Sequence, residues 1–150
     1  MESNLDTNDL AYATDVRKAR RKTGLKTQEF FTPRELVKRM CDKVPEDVWS
    51  DPSKRFVEPC FGNGNFLVEI IQRKIQHGST WRQALSTTFG VELMADNVAE
   101  CIERICDMLR EEDGWDETEA REIMGRNLVC SDFFKWDFEN WQPIEENKKK

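Results

Sequence analysis

The chain is poor in the residues that most metal and nucleophile chemistries need. It has one histidine, His77, set beside Gly78 at what reads as a helix end, so helix capping or solvent contact is the expected role. Five cysteines (Cys41, Cys60, Cys101, Cys106 and Cys130) form no CxxC pair. Their number is odd, and several have apolar neighbours, which predicts reduced, buried thiols acting as small hydrophobes. Zinc centres and Ser-His-Asp or Cys-His catalysis therefore have little support. No apolar run approaches the ~18 residues of a membrane-spanning helix. The opening MESNLDTNDL is acidic and polar, unlike a secretory leader, and cytoplasmic residence is expected. The five prolines (Pro33, Pro45, Pro52, Pro59 and Pro143) include no adjacent pair.

What remains is a chain of 150 residues, 35% charged and 38% hydrophobic, which suits one soluble domain with a single core. The net charge is −6, yet its distribution is uneven. The stretch RKARRKTGLK carries Arg17, Lys18, Arg20, Arg21, Lys22 and Lys26 with no acid. Such a run is either a phosphate-neutralising segment or a solvated arm, and its composition leaves both open. Residues 1–28 read as a basic, polar arm or helix, and residues 29–150 as the domain proper.

From Thr32 the pattern sharpens. Thr32 suits an N-cap and Pro33 a first helical turn. Leu36, Val37, Met40, Cys41 and Val44 then recur at helical spacing before Pro45 stops the run. A polar link, residues 46–54, leads to a strand over 55–59 and a glycine-bearing loop over 60–65. A helix with Phe66, Leu67, Ile70, Ile71 and Ile75 closes at Gly78. A short helix over 81–85 precedes a strand ending at Leu93. A long helix from Ala95 and a shorter one over 117–124 lead to a third strand, 128–133. Strands alternating with helices predict an α/β fold with a parallel sheet, half of a doubly wound arrangement.

The segment FVEPCFGNGNF, 56–66, carries the most chemistry. A strand feeds a tight turn holding Gly62 and Gly64, and a helix follows at once. Glycines there allow main-chain N–H groups to approach a ligand with no Cβ in the way. A lone G-x-G is an ordinary strand-to-helix turn. Here it follows the acid–proline pair Glu58-Pro59, a poor neighbour for pyrophosphate but an acceptor for an ammonium or hydroxyl. Leu67 occupies the third glycine position of the dinucleotide pattern, which argues against a nicotinamide cofactor. Glu92 ends the second strand in FGVEL and can take both hydroxyls of a ribose. Asp132 ends LVCSD, and Phe133 adds a stacking face, a pairing that suits an adenine amino group. Asp132 alone reads most simply as a cap. Three successive strands ending in acids over one crevice is a less ordinary pattern.

Taken together these segments resemble the adenine-N6 DNA methyltransferases of restriction-modification systems, which use S-adenosylmethionine. The order resembles the subclass opening with an FxTP segment, here FFTPRELVKRM. The resemblance runs from about Gln28 to Trp136 and implies a partial Rossmann-like methyltransferase fold, with three parallel strands, flanking helices and an N-terminal helical segment before them. It implies cofactor contacts at Phe31, Thr32 and Pro33, with Thr32 at the methionine moiety. The glycine loop carries over to Glu58, Pro59, Cys60, Gly62, Gly64 and Phe66, and the ribose acid to Glu92 with Leu93. The adenine segment carries over to Asp132 and Phe133.

The departure is as informative. The family's catalytic motif, Asn or Asp followed by Pro-Pro and an aromatic residue, is absent, because no two prolines adjoin. In the family that motif orients the flipped base, whose amine attacks the methyl group directly. No catalytic residue is therefore assigned, and no methylation by this chain alone is expected. DNA is the implied partner of the complete enzyme. Strand one is expected at a sheet edge, to be completed by further chain or by a second subunit. Phe61 is bulkier than the residue many family members carry before the first loop glycine.

Overall fold

The computed structural model describes residues 32–145. Phe31, the basic run and the arm over 1–28 lie outside them. The elements are helix α1 (Arg34–Asp42), helix α2 (Glu46–Ser50), strand β1 (Phe56–Glu58), helix α3 (Asn65–Gln76) and helix α4 (Trp81–Ser86). Strand β2 (Thr88–Glu92), helix α5 (Ala95–Leu109), helix α6 (Glu117–Asn127) and strand β3 (Leu128–Cys130) follow. A short 3-10 turn, Phe133–Lys135, leads into strands β4 (Trp136–Asp137) and β5 (Gln142–Pro143).

The sheet has the order β1-β2-β3, with both pairings parallel. Val57 stands opposite Phe89, and Glu92 opposite Cys130. Among the described residues β1 pairs only with β2, so it is an edge, as expected, and Val57 is 49% exposed. Side chains alternate across a strand. Leu128 and the position of Gly90 face the helices, and Val57, Phe89, Val91 and Val129 face the opposite side. There Trp141 of the β4–β5 hairpin meets Phe89 edge-on, with ring centroids 5.0 Å apart.

Two apolar clusters share helix α3. The larger joins Leu67 and Ile71 with Trp81, Leu85, Cys101, Ile105, Leu109, Met124 and Leu128. The smaller sets Val37, Cys41, Trp49 and Ile70 against Phe56 and Phe66, and so fastens α1 and α2 to α3. Leu67 is fully enclosed, and its replacement by alanine carries the usual core cost of ~2–5 kcal/mol. Buried Lys74 ties the bases of two strands together, its Nζ donating to the carbonyls of Lys54 and Thr87 and to Thr87 Oγ1. Burial pulls its pKa down to about 8.

Several expectations need correction. Thr32 is not the N-cap of α1: Pro33 is, with φ −58° and ψ 143° and no side-chain cap bond, so the helix begins one residue later. The link over 46–54 contains α2, because Trp49 is buried in the smaller cluster. Leu36 and Met40 are 46% and 48% exposed, since only Val37 and Cys41 of that helix are buried. Cys60 and Cys130 are exposed, unlike Cys41, Cys101 and Cys106. The third strand ends at Cys130 rather than 133, because Asp132 turns the chain by accepting the Phe134 N–H at 2.9 Å. His77 does cap its helix: Nδ1 lies 2.7 Å from the Arg73 carbonyl and Nε2 2.8 Å from Glu46 Oε2.

Candidate cofactor site

The loop between β1 and α3 is shaped by two left-handed glycines, with φ +55° at Gly62 and +97° at Gly64. Gly64 then caps α3, and its amide closes the turn on the Phe61 carbonyl at 2.9 Å. Phe61 is accommodated by a second glycine. Its ring lies where a Cβ on Gly90 would stand, so the bulky residue folds under the loop and against Leu67. Its amide also donates to the Val91 carbonyl at 3.2 Å, which pins the loop to β2.

The loop borders a small hollow, partly open to solvent, lined by Thr32, Glu58, Cys60, Phe61, Gly62, Asn63, Asn65 and Phe66. No basic side chain is among them. Two segments far apart in sequence, at Thr32 and at the glycine loop, thus meet here. The bond that joins them, Asn65 Nδ2 donating to the Thr32 carbonyl at 2.8 Å, involves a residue the sequence did not single out. Pro33, Pro59 and Leu93, named as contacts from the sequence, are exposed and do not line the hollow. Gly64 lies behind the lining, against Cys101.

The three acids stand at or just past the C-terminal ends of adjacent parallel strands, with Glu58 opposite Gly90 and Glu92 opposite Cys130, two residues before Asp132. Cys60 has its pKa raised by burial and, in decreasing order, by the charges of Glu92, Glu58 and Asp132. Each carboxylate is held differently. Glu58, half-buried in the lining, has its pKa raised by desolvation, against which the Cys60 N–H pulls back. Glu92 is buried, and its Oε2 accepts from the Met94 amide at 3.1 Å and from Asn97 Nδ2 at 2.9 Å. Those bonds fix the carboxylate at the start of α5. Asp132 does act as a cap through one oxygen, yet it still contributes to the field at Cys60. Phe133 follows it, exposed, with its ring 5.2 Å from that of Phe138.

A lining with a carboxylate, amides and a glycine, and with no basic side chain in it, suits a ligand that offers hydroxyl, amine or ammonium donors. Phosphate would meet repulsion. The parallel strands and their flanking helices form part of a Rossmann-like methyltransferase fold. A family model described as N-6 DNA methylase matches residues 6–115, and the chain belongs to that family. Over 48 residues it is also 48% identical to a protein of Mycoplasma pneumoniae (strain ATCC 29342 / M129 / Subtype 1) described as an uncharacterized adenine-specific methylase. That match covers 30% of this chain and 11% of the relative, so the chain spans about a tenth of the protein it resembles. No solved structure matches the chain.

Among the described residues no group of histidine, cysteine and carboxylate side chains could hold a metal ion. No helix among them is long and apolar enough to cross a membrane.

Proposed function

We propose that residues 29–150 form the S-adenosylmethionine-binding part of a DNA adenine-N6 methyltransferase. The observation that supports this reading is that Glu58, Glu92 and Asp132 stand at or just past the ends of adjacent parallel strands, on one edge of the sheet, beside a hollow bordered by Thr32 and the glycine loop. In the proposed assignment Glu58 accepts from the cofactor ammonium, and the Thr32 segment faces its amino-acid end. Glu92 takes the ribose hydroxyls, Asp132 the adenine amino group, and Phe133 stacks on the base. The bound cofactor supplies an electrophilic methyl group on a sulfonium. The side chains of this chain bind and orient it.

The transfer also needs a group that orients the accepting amine, and the sequence holds no Asn/Asp-Pro-Pro-aromatic segment. We therefore assign the cofactor half to these residues and the acceptor half to residues outside them, supplied by further chain or by a second subunit. DNA is the substrate of the assembled enzyme, with the basic run Arg17–Lys26 available to its phosphates. The same missing segment favours one alternative, a cofactor-binding module with no transfer of its own.

Equilibrium dialysis with labelled S-adenosylmethionine tests the assignment. One-to-one binding, displaced by S-adenosylhomocysteine and not by NAD, is the expected result. Absence of binding, or equal displacement by NAD, would overturn it. Methylation of DNA by this chain unaided would overturn the division into halves.

A further inference from the structure

Helix α5 turns a polar stripe toward the site. Asn97, Cys101 and Arg104 stand at spacings of four and three residues, which puts them on one helical face. Each reaches a different part of the mouth. Asn97 holds Glu92, and Cys101 fills the space beside Gly64. Arg104 Nη1 donates to the Asn63 carbonyl at 2.9 Å and to Asn65 Oδ1 at 2.8 Å. The same Asn65 amide then donates through Nδ2 to the Thr32 carbonyl.

The orientation of the Asn65 amide follows from these bonds. An amide presents an acceptor on one side and a donor on the other. Arg104 has only donors to offer, so it takes the oxygen and leaves the nitrogen facing Thr32. Without Arg104 the amide is free to turn, and an oxygen facing the Thr32 carbonyl would repel it. Asn65 is buried, where such a mismatch is costly. Thr32 and the loop are 33 residues apart, and this bond holds the two walls of the hollow together.

We infer that Arg104 is a positioning residue for the amino-acid end of the cofactor, acting through Asn65 on the Thr32 segment. The inference rests on the cofactor reading above and adds to it a residue that need not touch the ligand. The adenosine end, held by Glu92 and Asp132, does not depend on the Arg104–Asn65–Thr32 chain of bonds. Loss of Arg104 should therefore weaken only ligands that carry the amino acid.

The test is calorimetric titration of the whole chain with S-adenosylmethionine and with 5′-methylthioadenosine, which keeps the nucleoside and lacks the amino acid. For Arg104→Met the expected result is a loss of roughly tenfold or more for S-adenosylmethionine, the scale of a hydrogen-bonded group left mismatched, with methylthioadenosine nearly unchanged. Asn65→Ala, which removes the same link from its other end, should move the ratio likewise and serves if Arg104→Met does not fold. Equal losses for the two ligands, or no loss, would overturn the role of Arg104. Failure of the unsubstituted chain to bind either ligand would instead remove the cofactor reading itself.

Discussion

Gly64 and Cys101 are packed so closely that a Cβ on the glycine would overlap the cysteine Sγ. The thiol cannot give way easily. Cys101 is fully buried in α5, where desolvation pushes its pKa up to about 12. The glycine loop is thus set by steric contact with the helix behind it as well as by its own left-handed backbone.

Gly64→Ala should therefore destabilise the fold twice over. A left-handed non-glycine residue costs ~1–2 kcal/mol. Overpacking against Cys101 adds ~1–3 kcal/mol. Urea denaturation is the check. Pairing the change with Cys101→Ala should recover the packing part and leave the backbone part. A Gly64→Ala protein as stable as the unsubstituted one would contradict the close approach.

Glu58 yields a prediction in pH. Its carboxyl is raised above the ordinary value of 4.5 because the hollow desolvates it. The folded state then holds the proton more tightly than the unfolded one. Stability is unpenalised below the ordinary value and is lost as pH rises through the raised folded value. Glu58→Gln should accordingly stabilise the ligand-free protein at pH 7, with the gain fading toward pH 4. A donor ammonium favours the charged carboxylate, so cofactor affinity should fall as acid protonates Glu58. Denaturation and binding curves across pH 4–8 test both; a Glu58→Gln gain that stays constant with pH would count against this reading.

Cys60 reports on the assembled acids. Desolvation of the sulfur first, and then the charges of Glu92, Glu58 and Asp132, favour its protonated, unreactive form. Its alkylation at pH 8 should be slower than that of free cysteine. Glu92→Gln or Glu58→Gln should each speed it, Glu92→Gln the more. Mass-spectrometric rates at Cys60 give the answer, and rates indifferent to both changes would mean that the acids do not share its surroundings.

The order of strands and helices was legible because apolar residues recur at helical spacing in α3 and α5, and Gly78 follows the end of α3. Helix α2 was not, since its burial rests on Trp49 inside an otherwise polar stretch. The end of β3 was misplaced because an apolar run looks like strand until a cap such as Asp132 turns it. At the site, the glycines and the strand-end acids could be read because their roles depend on residue type at a fixed place along the chain. Asn65, Asn97 and Arg104 could not. A polar residue on an amphipathic helix reads as solvated surface unless its partner is known, and the partners of Arg104 lie 41 and 39 residues away. Separation in sequence also hid the fit of Phe61, which depends on the missing side chain at Gly90 in β2.

The most direct measurement is calorimetric titration of S-adenosylmethionine into the unsubstituted chain and into Glu58→Gln, Glu92→Gln and Asp132→Asn. Each acid should hold a different part of the same ligand, so each variant should bind more weakly. The largest loss is expected at Glu92, ~1.5–3 kcal/mol for charge-assisted bonds to the ribose. No binding by the unsubstituted chain, or binding that none of the three changes weakens, would contradict a common mouth for the cofactor.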